Sequence, residues 1–355
     1  MQFFTEDKLS ALEAKEQAQR IAFAPMIFQA SRVLRNTGIL TAVEDSGKAG
    51  ITLEEVKANT KLPHYGARVL LEAGLGIGLV LEKEGKYFLT KTGFFILHDK
   101  LTTVNLDFNH DVCYKGLFDL DKSIANEKPE GLKEFGSWKT VYEALAHLPA
   151  DVQKSWFAFD HYYSDVAFPE VLEKVFKHTP KTLLDIGGNT GKWAIECCKY
   201  NKDVQVTIMD LPGQTSMAER NIANLGFSDR VKFFKTNILD ESLSFPKGYD
   251  AIWMSQFLDC FSDKEIVSIL KRCYNALNDG GKVYILEPFW DRQRFEVSAF
   301  CLQMTSLYFT TIANGNSQMY NSNIFISLIK EAGFTVQEET DNLGVSHTLL
   351  ACVKK

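Results

Sequence analysis

The sequence predicts an α/β protein: a doubly wound sheet with an antiparallel last strand in the C-terminal half, behind a mostly helical N-terminal part of winged-helix pattern. Three observations carry this. Five apolar strand-like runs after residue 182, "TLLDIGG", "VQVTIMD", "RVKFFKTN", "YDAIWMSQFL" and "GGKVYILEPF", are each separated by a helix-sized interval, which argues for parallel strands with helices on both faces. The closing stretch "FTVQEETDNLGVSHTLLACVKK" holds two strand-like runs joined by "DNLG" with no room for a helix, so its last strand must return antiparallel. Before residue 100, apolar residues recur at helical spacing.

In chain order, residues 6 to 36 read as two helices, with Leu9, Leu12, Ile21, Met26, Ile27, Val33 and Leu34 at helix spacing and Pro25 opening the second. Thr52 and Glu55 form a capping box, Leu62-Pro63 a turn into another helix, and "LVLEKEGKYFLT" a hairpin turning at Glu84-Gly85. This is a helix-turn-helix followed by a wing. Lys57, Lys61 and Arg68 are balanced by Glu54, Glu55 and Glu72, so the segment lacks the basic footprint of a recognition helix and reads as a structural, dimer-forming element. The expected domains are 1–100 (winged helix, dimerisation), 101–175 (a helical bridge contributing to an acceptor pocket) and 176–355 (the α/β domain).

The whole chain of 355 residues is 45% hydrophobic and 24% charged, enough for two full-sized cores. Its net charge of −6 gives no reason to expect nucleic acid or an anionic membrane as partner. Seven cysteines without paired CxxC spacing fit neither a disulfide framework nor a metal site, and read as reduced thiols. With no export segment and no run of eighteen apolar residues, a cytoplasmic location is expected.

The stretch "TLLDIGGNTGKW" places Gly187, Gly188 and Gly191 on the turn after the first strand, where ligands sit in doubly wound sheets, with Asn189 tolerating the left-handed region beside them. Asp210 ends the second strand, nineteen residues beyond Gly191, where a carboxylate can accept from a ribose diol; its plainer use is to cap the following helix. Two ligand classes share this plan, dinucleotides and phosphate-free adenosyl cofactors. Asp185, two residues before the first glycine, suits a cationic ligand better than a pyrophosphate.

On these residues the chain resembles a known family. "LLDIGGNTG", "IMDLP", "YDAIWMSQFLDCFSDKE" and "GGKVYILEP" are similar to successive motifs of the class I S-adenosylmethionine-dependent methyltransferases, closest to the small-molecule O-methyltransferases of the plant caffeate and flavonoid type and their bacterial relatives, which carry an N-terminal winged-helix dimerisation domain. The resemblance implies a seven-stranded Rossmann-like sheet, S-adenosyl-L-methionine as cofactor, and a homodimer. It puts Asp185 to Gly191 at the methionine moiety, Asp210 and Leu211 at the ribose and adenine edge, Asn237 and Ile238 at the adenine, Phe261 stacked on that base, and Ser255 where plant members have a lysine.

At the family's catalytic histidine this chain has Asp259, in "DCFSDKE". An ordinary aspartate is too acidic to serve as base at neutral pH, but burial or a second carboxylate would raise it, and Glu287 aligns with one of the glutamates that flank the histidine. Met319 stands near the place of the other. His161 and His110 are the alternative bases, and transfer by proximity alone the third possibility. Phe157, Tyr162, Met304 and Tyr308 offer an aromatic wall for an acceptor. The expected function is methyl transfer to a hydroxyl of a small, aromatic acceptor. The rivals are a non-catalytic S-adenosylmethionine sensor working through its winged helix, and an NAD-dependent oxidoreductase.

Overall fold

The computed structural model describes residues 3–355 and divides into two compact units, residues 4–109 and 110–355. The first contains α1 (Ala11–Ala22), α2 (Ala24–Asn36), α3 (Ile39–Asp45), α4 (Leu53–Thr60), α5 (His64–Ile77), the hairpin β1 (Val80–Lys83) and β2 (Lys86–Leu89), α6 (Lys91–His98) and α7 (Lys100–Phe108). Ser10–Glu13 and Thr52–Glu55 capping boxes start α1 and α4. Glu84 and Gly85 both have positive φ, the geometry a two-residue hairpin turn needs. Leu34, Ile39, Leu40, Val56, Leu71 and Leu79 form the unit's core. α7 belongs to this unit, with Asp107 ion-paired to Arg35 of α2, so the break falls later than residue 100. No residue of α1 is buried.

The second unit opens with α8 (Leu120–Asn126), α9 (Val141–Ala144), α10 (Ala150–Ser164) and α11 (Phe168–Phe176). There follow β3 (Thr182–Ile186), α12 (Lys192–Tyr200), β4 (Gln205–Asp210), α13 (Pro212–Asn224), β5 (Val231–Lys235), β6 (Tyr249–Ser255), α14 (Asp263–Ala276), β7 (Leu277–Glu287), α15 (Glu296–Tyr308), α16 (Ser322–Glu331), β8 (Phe334–Leu343) and β9 (His347–Lys354). The seven-stranded sheet has the order β5-β4-β3-β6-β7-β9-β8, parallel from β5 to β7, with β9 antiparallel to both neighbours. The order reverses between β3 and β6, and at such a switch point the strand ends diverge into a crevice.

Both sheet faces are covered, which is why the strands read as continuous apolar runs. One face packs Leu184, Ile186, Ile252 and Met254 against α14 and α16. The other packs Leu183, Val206, Trp253 and Leu286 against α11 and α12, with Trp193 stacked on Trp253 at 3.9 Å. Among the described residues no helix is long and apolar enough to cross a membrane.

Candidate functional site

The crevice lies beyond the carboxyl ends of β3, β4, β6 and β7. After β3 the chain turns through Gly187, at φ 73°, whose N–H donates to the Met209 carbonyl at 2.9 Å. A Cβ on Gly187 would sit 2.2 Å from the Phe257 ring, and one on Gly188 2.8 Å from Asp185 Oδ2, so neither position accepts a larger residue without a shift. Gly191, at φ 83°, caps α12. Asn189, at φ 47°, donates its N–H to Asp210 Oδ2 (2.9 Å), and the Leu211 N–H donates to Oδ1 (2.7 Å). Asp210 is therefore the brace of the glycine turn, and its remaining lone pairs can still accept from a ligand.

Asp185 is 2% exposed and its Oδ2 has no partner among the described residues. Burial, then the neighbouring Asp210, holds its carboxyl well above the usual range. Burial also pushes Asp210 up to about 6, against the two amides that favour its ionised form. A cation placed between these carboxyls would reverse the desolvation that raises them. The residues present thus fit a cofactor with a cationic methionine moiety and a ribose. Ser255 Oγ, at the end of β6, is likewise buried with no partner among the described residues.

The β6 and β7 ends supply the second half. Glu287 is 1% exposed; its Oε1 accepts from the Phe257 and Leu258 amides at 3.1 and 2.8 Å, while Oε2 has no partner among the described residues. It anchors the loop that presents Asp259, itself 3% exposed, whose Oδ1 accepts a weak hydrogen bond from the Cys260 thiol at 3.5 Å. Burial raises Asp259 above an ordinary aspartate, with Asp160 adding to it. Burial first, then Asp259, holds Glu287 well above an ordinary glutamate. A Ser262–Glu265 capping box opens α14 directly behind.

From α10, Asp160 accepts from the Asn189 side chain at 3.3 Å, and Trp156, one turn earlier on the same face, donates to the Tyr308 hydroxyl at 2.7 Å. α10 therefore runs from the glycine turn to α15. His161 Nδ1 lies 3.9 Å from Asp160 and 3.7 Å from Asp165, with its ring stacked on Phe157. His110 lies 4.0 Å from Asp111.

The structure links Gly187, Gly188, Asn189, Gly191, Asp210 and Leu211 by hydrogen bonds around one turn, with the Asp185 carboxyl buried against Gly188, and puts Asp259 in the loop after β6 that Glu287, at the end of β7, anchors. Other expected residues sit differently. Phe261 is 8% exposed and part of the core, and the aromatic lying on the glycine turn is Phe257. Asn237 uses its side-chain oxygen to accept from the Leu239 N–H in its own turn, and the Ile238 carbonyl accepts from Arg272. Met304 is 46% exposed, beside Val297 and Phe300 on one face of α15; Tyr162 packs edge-on to Tyr163. Asp160, Trp156 and Asn314, which donates to the Cys260 carbonyl, escaped the sequence reading. "SWFAFDHYYSD" carried the only signal for the first two, an acid and an indole at i, i+4 spacing.

Residues 118–335 match the sequence pattern of the O-methyltransferase domain, and residues 15–87 that of the Dimerisation2-like domain. The chain belongs to the O-methyltransferase family. It is an S-adenosylmethionine-dependent methyltransferase. This family membership supports neither the oxidoreductase nor the sensor. Among curated relatives, an L-tyrosine C(3)-methyltransferase of Streptomyces lavendulae is 24% identical over 322 residues, 88% of this chain and 85% of that protein. A 3-hydroxy-5-methyl-1-naphthoate 3-O-methyltransferase of Streptomyces sahachiroi is 31% identical over 111 residues, 31% of this methyltransferase and 32% of its relative. Among solved structures, the O-methyltransferase from neocarzinostatin biosynthesis, in complex with S-adenosylmethionine and 2-hydroxy-5-methyl naphthoic acid, shares the fold with a TM-score of 0.67 at 19% identity, covering 92% of this chain and 96% of that one.

Proposed function

We propose that this O-methyltransferase methylates a phenolic hydroxyl of a small aromatic acceptor, with Asp259 as general base and Glu287 setting its position and proton affinity. One observation carries the reading: two buried carboxyls, Glu287 at the end of β7 and Asp259 in the loop after β6 that Glu287 anchors, each raised by burial. S-adenosylmethionine, when bound, supplies a methyl group on a positively charged sulfur. Asp185, Gly187, Gly188, Asn189 and Gly191 would hold its methionine part, and Asp210 with Leu211 its ribose. Phe257 would line the glycine turn, with Phe261, packed edge-on against it, stacking on the adenine. Phe157, Tyr162 and Tyr308 would wall the acceptor, with Met304 at its rim. His161 is assigned a supporting part, steadying Asp160 on α10 and Asp165 just past its end. The aromatic acceptors printed in the names of the relatives agree with such a wall.

A base works best when its proton affinity matches the medium, and desolvation moves Asp259 in that direction. Its ionised form is the active one, so the rate should rise with pH through its raised pKa. Asp259→Asn should lower turnover by about 10² to 10⁴-fold while leaving affinity for S-adenosylhomocysteine unchanged. Wild-type turnover of a phenol by this variant, across that pH range, would remove Asp259 as base.

A second reading is favoured by the similarity to the L-tyrosine C(3)-methyltransferase: the same deprotonation loads electron density on the ring carbon beside the phenol, which would take the methyl group as the bond from sulfur breaks and then lose its own proton to restore the aromatic ring. Nuclear magnetic resonance of the product separates the two. We further propose a homodimer through the first unit, supported by its match to a dimerisation domain and by the exposed Leu12, Ile21, Phe23 and Met26. All seven cysteines are free thiols, which supports action in the reducing cytoplasm.

A further inference from the structure

Beside the loop that carries Asp259 and Cys260 lies one more polar group without a role so far. α9 is a single turn whose Val141 and Ala144 are fully buried and which packs against the turn 309–313 after α15. Between those anchors Tyr142 sends its hydroxyl inward, where the oxygen is buried beside the Cys260 thiol and has no oxygen or nitrogen partner among the described residues. Its ionisable neighbours are Cys260, Tyr308 and Asp259; Asp160 acts on Asp259 and Tyr308, and Glu287 on Cys260 and Asp259. Of the nearby groups, the Tyr308 hydroxyl accepts from Trp156, the Cys260 carbonyl from Asn314 and Glu287 Oε1 from two amides, while Glu287 Oε2 is itself without a partner among the described residues. The Cys260 thiol is a weak partner at best. Burying a hydroxyl with nothing to bond costs stability, and folded proteins rarely do so without a reason.

We propose that the Tyr142 hydroxyl binds the acceptor, donating a hydrogen bond to the phenolic oxygen that faces Asp259. The proposal rests on the reading above, in which the acceptor is a phenol. Asp259 takes the proton of that oxygen, and Tyr142 places its own hydrogen on a lone pair of the same atom, steadying the negative charge left there. Burial keeps the tyrosine protonated, so it remains a donor throughout the working range. Tyr142 would then be a residue of acceptor recognition that selects a hydroxylated ring over its deoxy analogue.

The test is a titration of 2-naphthol and of naphthalene into the protein saturated with S-adenosylhomocysteine, for wild type and Tyr142→Phe, followed by turnover with S-adenosylmethionine. The expected result is that wild type prefers 2-naphthol by about 5- to 50-fold, the range of one hydrogen bond to a phenol or phenolate. In Tyr142→Phe that preference should shrink to a few-fold, with S-adenosylhomocysteine affinity unchanged and the rising limb of the pH–rate profile displaced to higher pH. Equal binding of the two probes by wild type, or the same preference in both proteins, overturns the proposal. A preference that depends on Tyr142 without methylation of the naphthol sustains the binding role and overturns the transfer reading. If wild type takes neither probe, both fall. Should the variant lose S-adenosylhomocysteine affinity too, the wild-type comparison of the two probes decides the matter: a preference for 2-naphthol sustains the role, and equal affinity overturns it.

Discussion

Asp210 shows how one side chain can serve the scaffold and the ligand together. Both of its oxygens already accept backbone N–H groups, at Asn189 and Leu211, so it braces the glycine turn and does not cap α13, while its remaining lone pairs are left for the proposed ribose contact. Asp210→Ala should therefore weaken S-adenosylhomocysteine binding by about 1.5 to 3 kcal/mol, through lost charge-assisted hydrogen bonds and a slackened turn. Calorimetry giving wild-type affinity would take Asp210 out of the site. At this scale the sequence was informative where chemistry is dictated by backbone: glycines and an asparagine in a turn, an acid at a strand end. It was silent about Asp160, Trp156 and Tyr142, because their parts depend on which helix crosses the crevice, and nothing in local spacing specifies that.

At the scale of elements, α1 is the exception to the packing rule. It has a complete capping box, yet buries nothing within the chain, leaving Leu12 67% and Ile21 65% exposed. A short helix with no buried residue is marginal in water, which agrees with the proposed dimer covering its apolar face. Leu12→Glu with Ile21→Glu should convert a dimer to a monomer in multi-angle light scattering at micromolar concentration, with the fold of the second unit retained. A monomeric wild type would contradict the pairing itself. The strands and the hairpin wing were legible because apolar runs and turn residues are local signals. The boundary at residue 109 was not, since α7 is tied to α2 by an ion pair between residues distant in sequence. Phe261 and Phe257 show the same limit: both are aromatics in one loop, and only the tertiary fold decides which enters the core.

For the molecule as a whole, the site stores buried acid. Asp185, Asp210, Asp259 and Glu287 all have raised pKa values in the fold, so the folded state keeps protons that the unfolded chain has released. Their stabilising contribution is complete below the ordinary carboxyl range and is lost as pH rises through the folded values. His347, fully buried and lowered to about 4, acts in the opposite sense, costing stability only as pH falls below its ordinary 6.5. Above 6.5 the carboxyls alone remain, and the melting temperature of the free protein should fall between pH 6.5 and 8. S-adenosylmethionine, a cation at sulfur and at its amine, should flatten that slope. A differential scanning series with and without it would show equal slopes if the acids play no part in binding.

The anchoring of the 257–259 loop has a further meaning for descent. Glu287 grips main-chain amides, and the shape of the loop is thereby set without reference to the side chain at position 259. A lineage could exchange one proton acceptor for another there, histidine for aspartate or the reverse, without rebuilding the scaffold that aims it. Reactivity in such a site can drift while architecture stands still, and a laboratory that wished to retrace that drift would have a single codon to change.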